Sequence, residues 1–144
     1  MKTVLCYGDS NTYGYDPETG LRYPPALRWP DALQALLGPE YRVIPEGLNG
    51  RTTAFGRKGL AWLNGLSTLD PIIRTHYPID CLIFMLGTND CKERFGANPA
   101  CIGAGLERLI LKAKTVLLNI ICRRANGFIT LTEEKSTVLL ADAG

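Results

Sequence analysis

Val4-Leu5-Cys6-Tyr7-Gly8-Asp9-Ser10-Asn11 passes from four apolar residues to a glycine, a carboxylate, a hydroxyl and an amide without a spacer. A short apolar run cut off by glycine reads as a buried strand. In an α/β protein the crevice beyond such a strand is where a nucleophile or an anion site is placed, because the next helix aims free N–H groups into it. Ser10 is therefore the candidate for the reacting atom. Taken alone, the tetrapeptide reads equally well as a strand-to-helix turn whose serine caps the helix. A second stretch shifts the balance: Cys81-Leu82-Ile83-Phe84-Met85-Leu86 is another apolar run, and it ends in Gly87-Thr88-Asn89-Asp90. In a parallel sheet the loops leaving two such strands lie on the same edge.

Outward from these two points the chain alternates. Thr3 to Tyr7 forms the first strand, and Thr12 to Pro30 is a loop carrying Tyr13, Tyr15, Tyr23 and Trp29, aromatics suited to an acyl or aryl pocket or simply to covering the sheet edge. Pro30, Leu33, Leu36, Leu37 and Gly38 describe a short amphipathic helix with a first-turn proline and a terminal glycine. Tyr41 to Ile44 is a second strand, and Pro45 to Gly59 a long glycine-rich loop of the kind that binding usually accounts for. Leu66, Leu69, Ile72 and Ile73 predict a helix in which Pro71 marks the first turn or a kink. Asn98 caps a further helix that Ile102, Leu106, Leu109, Ile110 and Ala113 carry through Lys114. Val116 to Cys122 is expected to be a fourth strand and Phe128 to Leu131 is strand-like, while Glu133 to Leu140 fits helix or strand. Strands alternating with helices predict an α/β fold, a parallel central sheet covered on both faces.

The 144 residues suit one domain, 1–144, and 46% apolar with 21% charged residues are globular values. A net charge of +2 with interspersed signs gives no basic stripe, so neither nucleic acid nor a membrane surface is expected as a partner. Cys6, Cys81, Cys91, Cys101 and Cys122 stand singly, without metal or redox spacing; buried reduced thiols are expected, with no metal and no cofactor. The Val4–Tyr7 run is far too short for a signal-peptide core, and Val116 to Cys122 cannot span a bilayer. The expectation is a soluble, cytoplasmic protein.

Gly8-Asp9-Ser10-Asn11-Thr12 resembles the first signature block of the SGNH (GDSL-type) serine hydrolases, Glu46-Gly47-Leu48-Asn49-Gly50-Arg51-Thr52-Thr53 the second, and Gly87-Thr88-Asn89-Asp90 the third. The resemblance covers residues 1–114 and thins out over 115–144. Arg28-Trp29 and the wording of the second block resemble the branch of small intracellular esterases acting on acetylated or aryl esters. What the resemblance implies is a three-layer, flavodoxin-like fold and hydrolysis of carboxylic esters through an acyl-serine. Ser10 is then the nucleophile, and the N–H groups of Ser10 and Gly50 with the Asn89 side chain are the oxyanion donors. Asp9 and Asn11 support the turn.

A serine hydroxyl needs a base within reach, usually a histidine oriented by a carboxylate. Asp9 is no substitute, because neighbours on a tight turn point apart; it and Asp90 read as loop hydrogen-bonding groups. Family members carry an aspartate followed three positions later by histidine near the C-terminus. This chain has one histidine, His76 in Thr75-His76-Tyr77-Pro78, and no such pair. His76 is expected at a helix end, away from the loops that follow strands one and three. Either the chain stops before its base or the chemistry has been lost, so weak or absent activity on a small-molecule ester is expected. Three other readings stay open: a non-catalytic ester- or carbohydrate-binding module, a phosphate or flavin loop at Gly8 to Gly14, and an incompletely covered sheet that self-associates into a homo-oligomer.

Overall fold

The computed structural model describes residues 1–124 and 137–140, with side chains for residues 1–121. Four strands, β1 (Lys2–Gly8), β2 (Tyr41–Gly47), β3 (Cys81–Met85) and β4 (Thr137–Leu140), form a parallel sheet in the order β2-β1-β3-β4. The register sets Gly8 beside both Gly47 and Met85, so the chain leaves β1, β2 and β3 at the same edge. The helices are α1 (Ser10–Tyr13), α2 (Trp29–Leu37), α3 (Gly65–His76) and α4 (Pro99–Arg124). Parallel pairing needs crossovers, and α2, α3 and α4 supply them.

Strand periodicity sorts the side chains. Leu5 and Tyr7 of β1, Ile44 of β2, and Leu82 and Phe84 of β3 share one face, where Leu69 and Ile73 of α3 and Leu109, Ala113, Val116 and Leu117 of α4 close over them. Tyr7 and Phe84 meet edge to face, with centroids 5.8 Å apart. Val4 and Cys6, facing the other way, are also buried, but their β3 partners Cys81 and Ile83 are only half-buried. Along β2, the Gln34 side chain of α2 accepts from Val43 N at 2.7 Å and donates to Tyr41 O at 3.0 Å.

Val116 to Cys122 is not a strand. It continues α4, because Leu109, Ala113, Val116 and Leu117 fall on one helical face and are buried whereas Thr115, Leu118 and Asn119 point outward; alternation would have paired Val116 with Leu118. The fourth strand lies at Thr137–Leu140, within the stretch that fitted helix or strand. β2 extends three residues beyond Ile44, so the glycine-rich loop begins at Leu48. Pro71 sits within α3, past its first turn. Of the thiols, Cys6 is buried and Cys81 half-buried, but Cys91 in the loop after Asn89-Asp90 and Cys101 on the solvent side of the first turn of α4 are exposed, contrary to the expectation of buried thiols. Burial, and next the neighbouring Cys81, push the Cys6 thiol up to about 12. The strand-like Phe128 to Leu131 and the side chain of Cys122 lie outside the described residues.

Candidate active site

Gly8 ends β1 because nothing larger fits: a Cβ there would strike Thr12 Oγ1 and Met85 O. One residue later Asp9 caps α1, accepting from Asn11 N at 2.9 Å. Ser10 is the first residue of α1 and half-buried. Its hydroxyl makes no hydrogen bond among the described residues, and neither does its backbone N–H. Asn11 is exposed. Gly47, at the end of β2, lies so close to Tyr13 N that a Cβ could not be accommodated, which presses the second loop onto α1. Gly50 then turns with φ 85°, a left-handed conformation that favours glycine, and its N–H also has no partner among the described residues.

Beneath these loops lies a set of buried polar groups. Asn89, 5% exposed, donates through Nδ2 to Arg51 O at 3.0 Å and to Asp9 Oδ2 at 3.4 Å. It thus bridges the first and second loops instead of bonding within its own. Asp90 is fully buried and accepts from Thr53 N at 3.0 and 3.1 Å and from Thr53 Oγ1 at 2.5 Å. Arg51 is 3% exposed; its Nη1 donates to Gly8 O at 3.0 Å and Glu46 O at 2.5 Å, and its guanidinium lies 4.1 Å from the centroid of Tyr7. Burial raises the Asp9 and Asp90 carboxyls above their ordinary values and lowers Arg51. Asn11 N and the Thr53 hydroxyl hold the two carboxyls part of the way back.

His76 closes α3, as a helix-end histidine should, but it is half-buried and engaged. Its Nε2 lies 2.7 Å from Glu46 Oε1, and the register places Glu46 level with Tyr7. The ring is tied to the edge strand β2, and no hydrogen bond connects it with Ser10. Among the described residues no group of three His, Cys, Asp or Glu could hold a metal ion, and no helix is long and apolar enough to cross a membrane. Of the residues singled out in the sequence, Ser10, Gly50 and Asn89 are brought to one sheet edge with Asp9 beside them. Arg51 and Thr53 were missed as parts of this assembly; the signal available was a charged residue and two hydroxyls directly after Gly50.

The family model of the GDSL-like lipases/acylhydrolases matches residues 6–136. The chain belongs to that family. Among solved structures it is similar to a carbohydrate acetylesterase family member from Sinorhizobium meliloti, at 42% identity and a TM-score of 0.76 over 97% of this chain and 62% of that one. It is also similar to Est24, a carbohydrate acetylesterase from the same organism, at 36% identity and 0.78 over 97% and 63%. The native aryl esterase of M. smegmatis gives 41% identity and 0.74 over 78% and 54%. The chain therefore spans between 54% and 63% of the length of these structures. No curated protein matches it. The parallel α/β architecture expected from the sequence is the one these SGNH hydrolases share.

Proposed function

We propose that this domain carries the nucleophile and oxyanion half of a carboxylic ester hydrolase, acting on acetyl or other small acyl esters of aryl or sugar alcohols. The observation that carries the reading is the convergence of a serine hydroxyl and two backbone N–H groups, of Ser10 and Gly50, at one edge of the sheet, all three without a hydrogen-bond partner among the described residues. The similarity to aryl esterases and carbohydrate acetylesterases supplies the substrate class. Ser10 Oγ attacks the ester carbonyl, and the developing oxyanion takes hydrogen bonds from the N–H groups of Ser10 and Gly50. Asn89 adds a third donor by releasing Asp9, the longer of its two contacts. Donors aimed at the oxyanion are each worth about 10²–10³ in rate.

The proton on Ser10 Oγ has no acceptor in the described residues, because the single histidine is bound to Glu46. Both acylation and deacylation need a base, so turnover by this chain is slow and an acyl-serine persists. Incubation with p-nitrophenyl acetate followed by peptide mass spectrometry tests this: an acetyl group is expected on the peptide containing Ser10, and none in Ser10→Ala. Acetylation spread over surface lysines, equal in both proteins, would overturn the reading. The unpartnered hydroxyl also favours a second reading, a site that binds esters without turning them over; binding unaffected by Ser10→Ala and no acetyl-Ser10 would select it.

A further inference from the structure

Arg51 stands in a position that the chemistry of Ser10 does not itself require. Its side chain is buried, yet Nε has no hydrogen-bond partner among the described residues. A buried, incompletely satisfied cation is a costly support where an apolar side chain of similar volume would pack. What the guanidinium touches is the end of β1 and the end of β2, two of the segments that build the site. Nη1 holds the carbonyl of Gly8, two residues before the nucleophile, and the carbonyl of Glu46 at the end of β2. Its plane lies over Tyr7, whose hydroxyl donates to Gly65 O at 2.7 Å and meets Thr68 Oγ1 at 2.8 Å on α3. The Arg51 main chain completes the set: its N–H donates to Leu48 O at 3.0 Å, closing the turn that exposes the Gly50 N–H, and its carbonyl holds Asn89 Nδ2.

We propose that Arg51 is a positioning residue that fixes the two backbone N–H donors and the Asn89 amide relative to Ser10. It acts through these groups and does not touch substrate. This rests on the ester-hydrolysis reading of the site. A planar fork sets the direction of its donors, whereas a lysine supplies charge without that geometry, and misplacement by about 1 Å costs about 10²-fold in rate.

The test compares the full chain with Arg51→Lys and Arg51→Met, each first shown to unfold cooperatively. Two readouts are taken: ¹⁵N NMR of the Ser10 and Gly50 N–H groups and the Asn89 side-chain amide, and kcat and KM for p-nitrophenyl acetate with imidazole supplied as base. Folded Arg51→Met is expected to shift those three amide signals while distant ones stay in place. It should lower the Ser10-dependent kcat about tenfold or more with KM changed by less than about threefold, and Arg51→Lys should fall between it and the parent. Unmoved amide signals in a folded variant, or a loss confined to KM, would overturn the proposal. Absence of any Ser10-dependent turnover in the parent would instead refute the ester reading, and the amide signals would still decide the role of Arg51. If Arg51→Met fails to fold, Arg51→Lys carries both readouts.

Discussion

Ser10 and His76 are the two residues from which a hydrolase site would be assembled, and the fold treats them in opposite ways. Ser10 sits at the head of α1, half-buried, with its hydroxyl and N–H both unpaired among the described residues. Around it Gly8, Gly47 and Gly50 remove side chains, and Asp9, Arg51, Asn89 and Asp90 lock the loops from below. His76 is at the tail of α3, and its Nε2 meets Glu46 and ties the helix to β2. Among the described residues, one has an open hydroxyl with no base bonded to it, and the other already has a carboxylate partner. A nucleophile and a base make a catalytic pair only within hydrogen-bond reach, and no hydrogen bond joins these two.

The contrast is broken most severely at the oxyanion side. Asn89→Ala removes a donor and also the link between the Arg51 carbonyl and Asp9, so Ser10 acetylation should slow by about 10²–10³. Stopped-time mass spectrometry would read this, and acetylation at the parent rate would show that Asn89 only braces the loops. Gly105→Ala comes next. A Cβ there would run into Thr53 Oγ1, whose hydroxyl serves the buried Asp90; strain of this kind costs about 1–3 kcal/mol, visible as a lower urea midpoint and slower acetylation together. His76→Ala should be the mild change. It deletes the half-buried contact with Glu46, worth at most about 1 kcal/mol, and should leave the acetylation of Ser10 unaltered within about twofold. A large loss of acetylation in a folded His76→Ala protein would mean that the imidazole reaches Ser10 after all.

The smallest effect concerns pH. Burial raises the folded-state pKa of Asp9 above its unfolded value, so the stability linked to its proton is fully present below the ordinary aspartate range and is lost as pH rises through the raised value. Asp9→Asn keeps an N-cap but cannot titrate. Its urea midpoint relative to the parent should therefore improve from about pH 4 towards pH 7. A gap that stays flat or moves the other way would contradict this.

Much of this was legible because it rests on local patterns. Apolar runs ending in glycine marked β1 and β3, and Pro30 with Gly38 bracketed α2 within one residue of its observed start. Ser10 and the Gly87–Asp90 loop were singled out from the residues at the strand ends, whereas Gly50 and the role given to Asn89 came from the resemblance of the second and third blocks to the SGNH signatures. Val116 to Cys122 misled because seven mostly apolar residues carry little periodicity when read apart from the helix before them; Leu109 and Ala113 extend their face through Val116 and Leu117 only once the solvent side of α4 is known. The Arg51 and Thr53–Asp90 contacts were out of reach for another reason. The contacts of Arg51 with Gly8 and of Thr53 with Asp90 join residues 37 or more positions apart through side chains that are usually exposed, and burial of an arginine is decided by tertiary packing rather than by its neighbours in sequence.

The most direct test of the proposal that Ser10 has no base is to supply one. The rate of p-nitrophenyl acetate hydrolysis is measured for the full chain and for Ser10→Ala across a series of imidazole concentrations, and the difference between the two is taken at each. The account predicts a difference near background without imidazole that rises in proportion to the free base, since a positioned base contributes about 10²–10⁴-fold and a freely diffusing one should recover part of that. Identical rates in the two proteins at every concentration would contradict a nucleophilic Ser10. A large difference already present without imidazole would contradict the absence of a base.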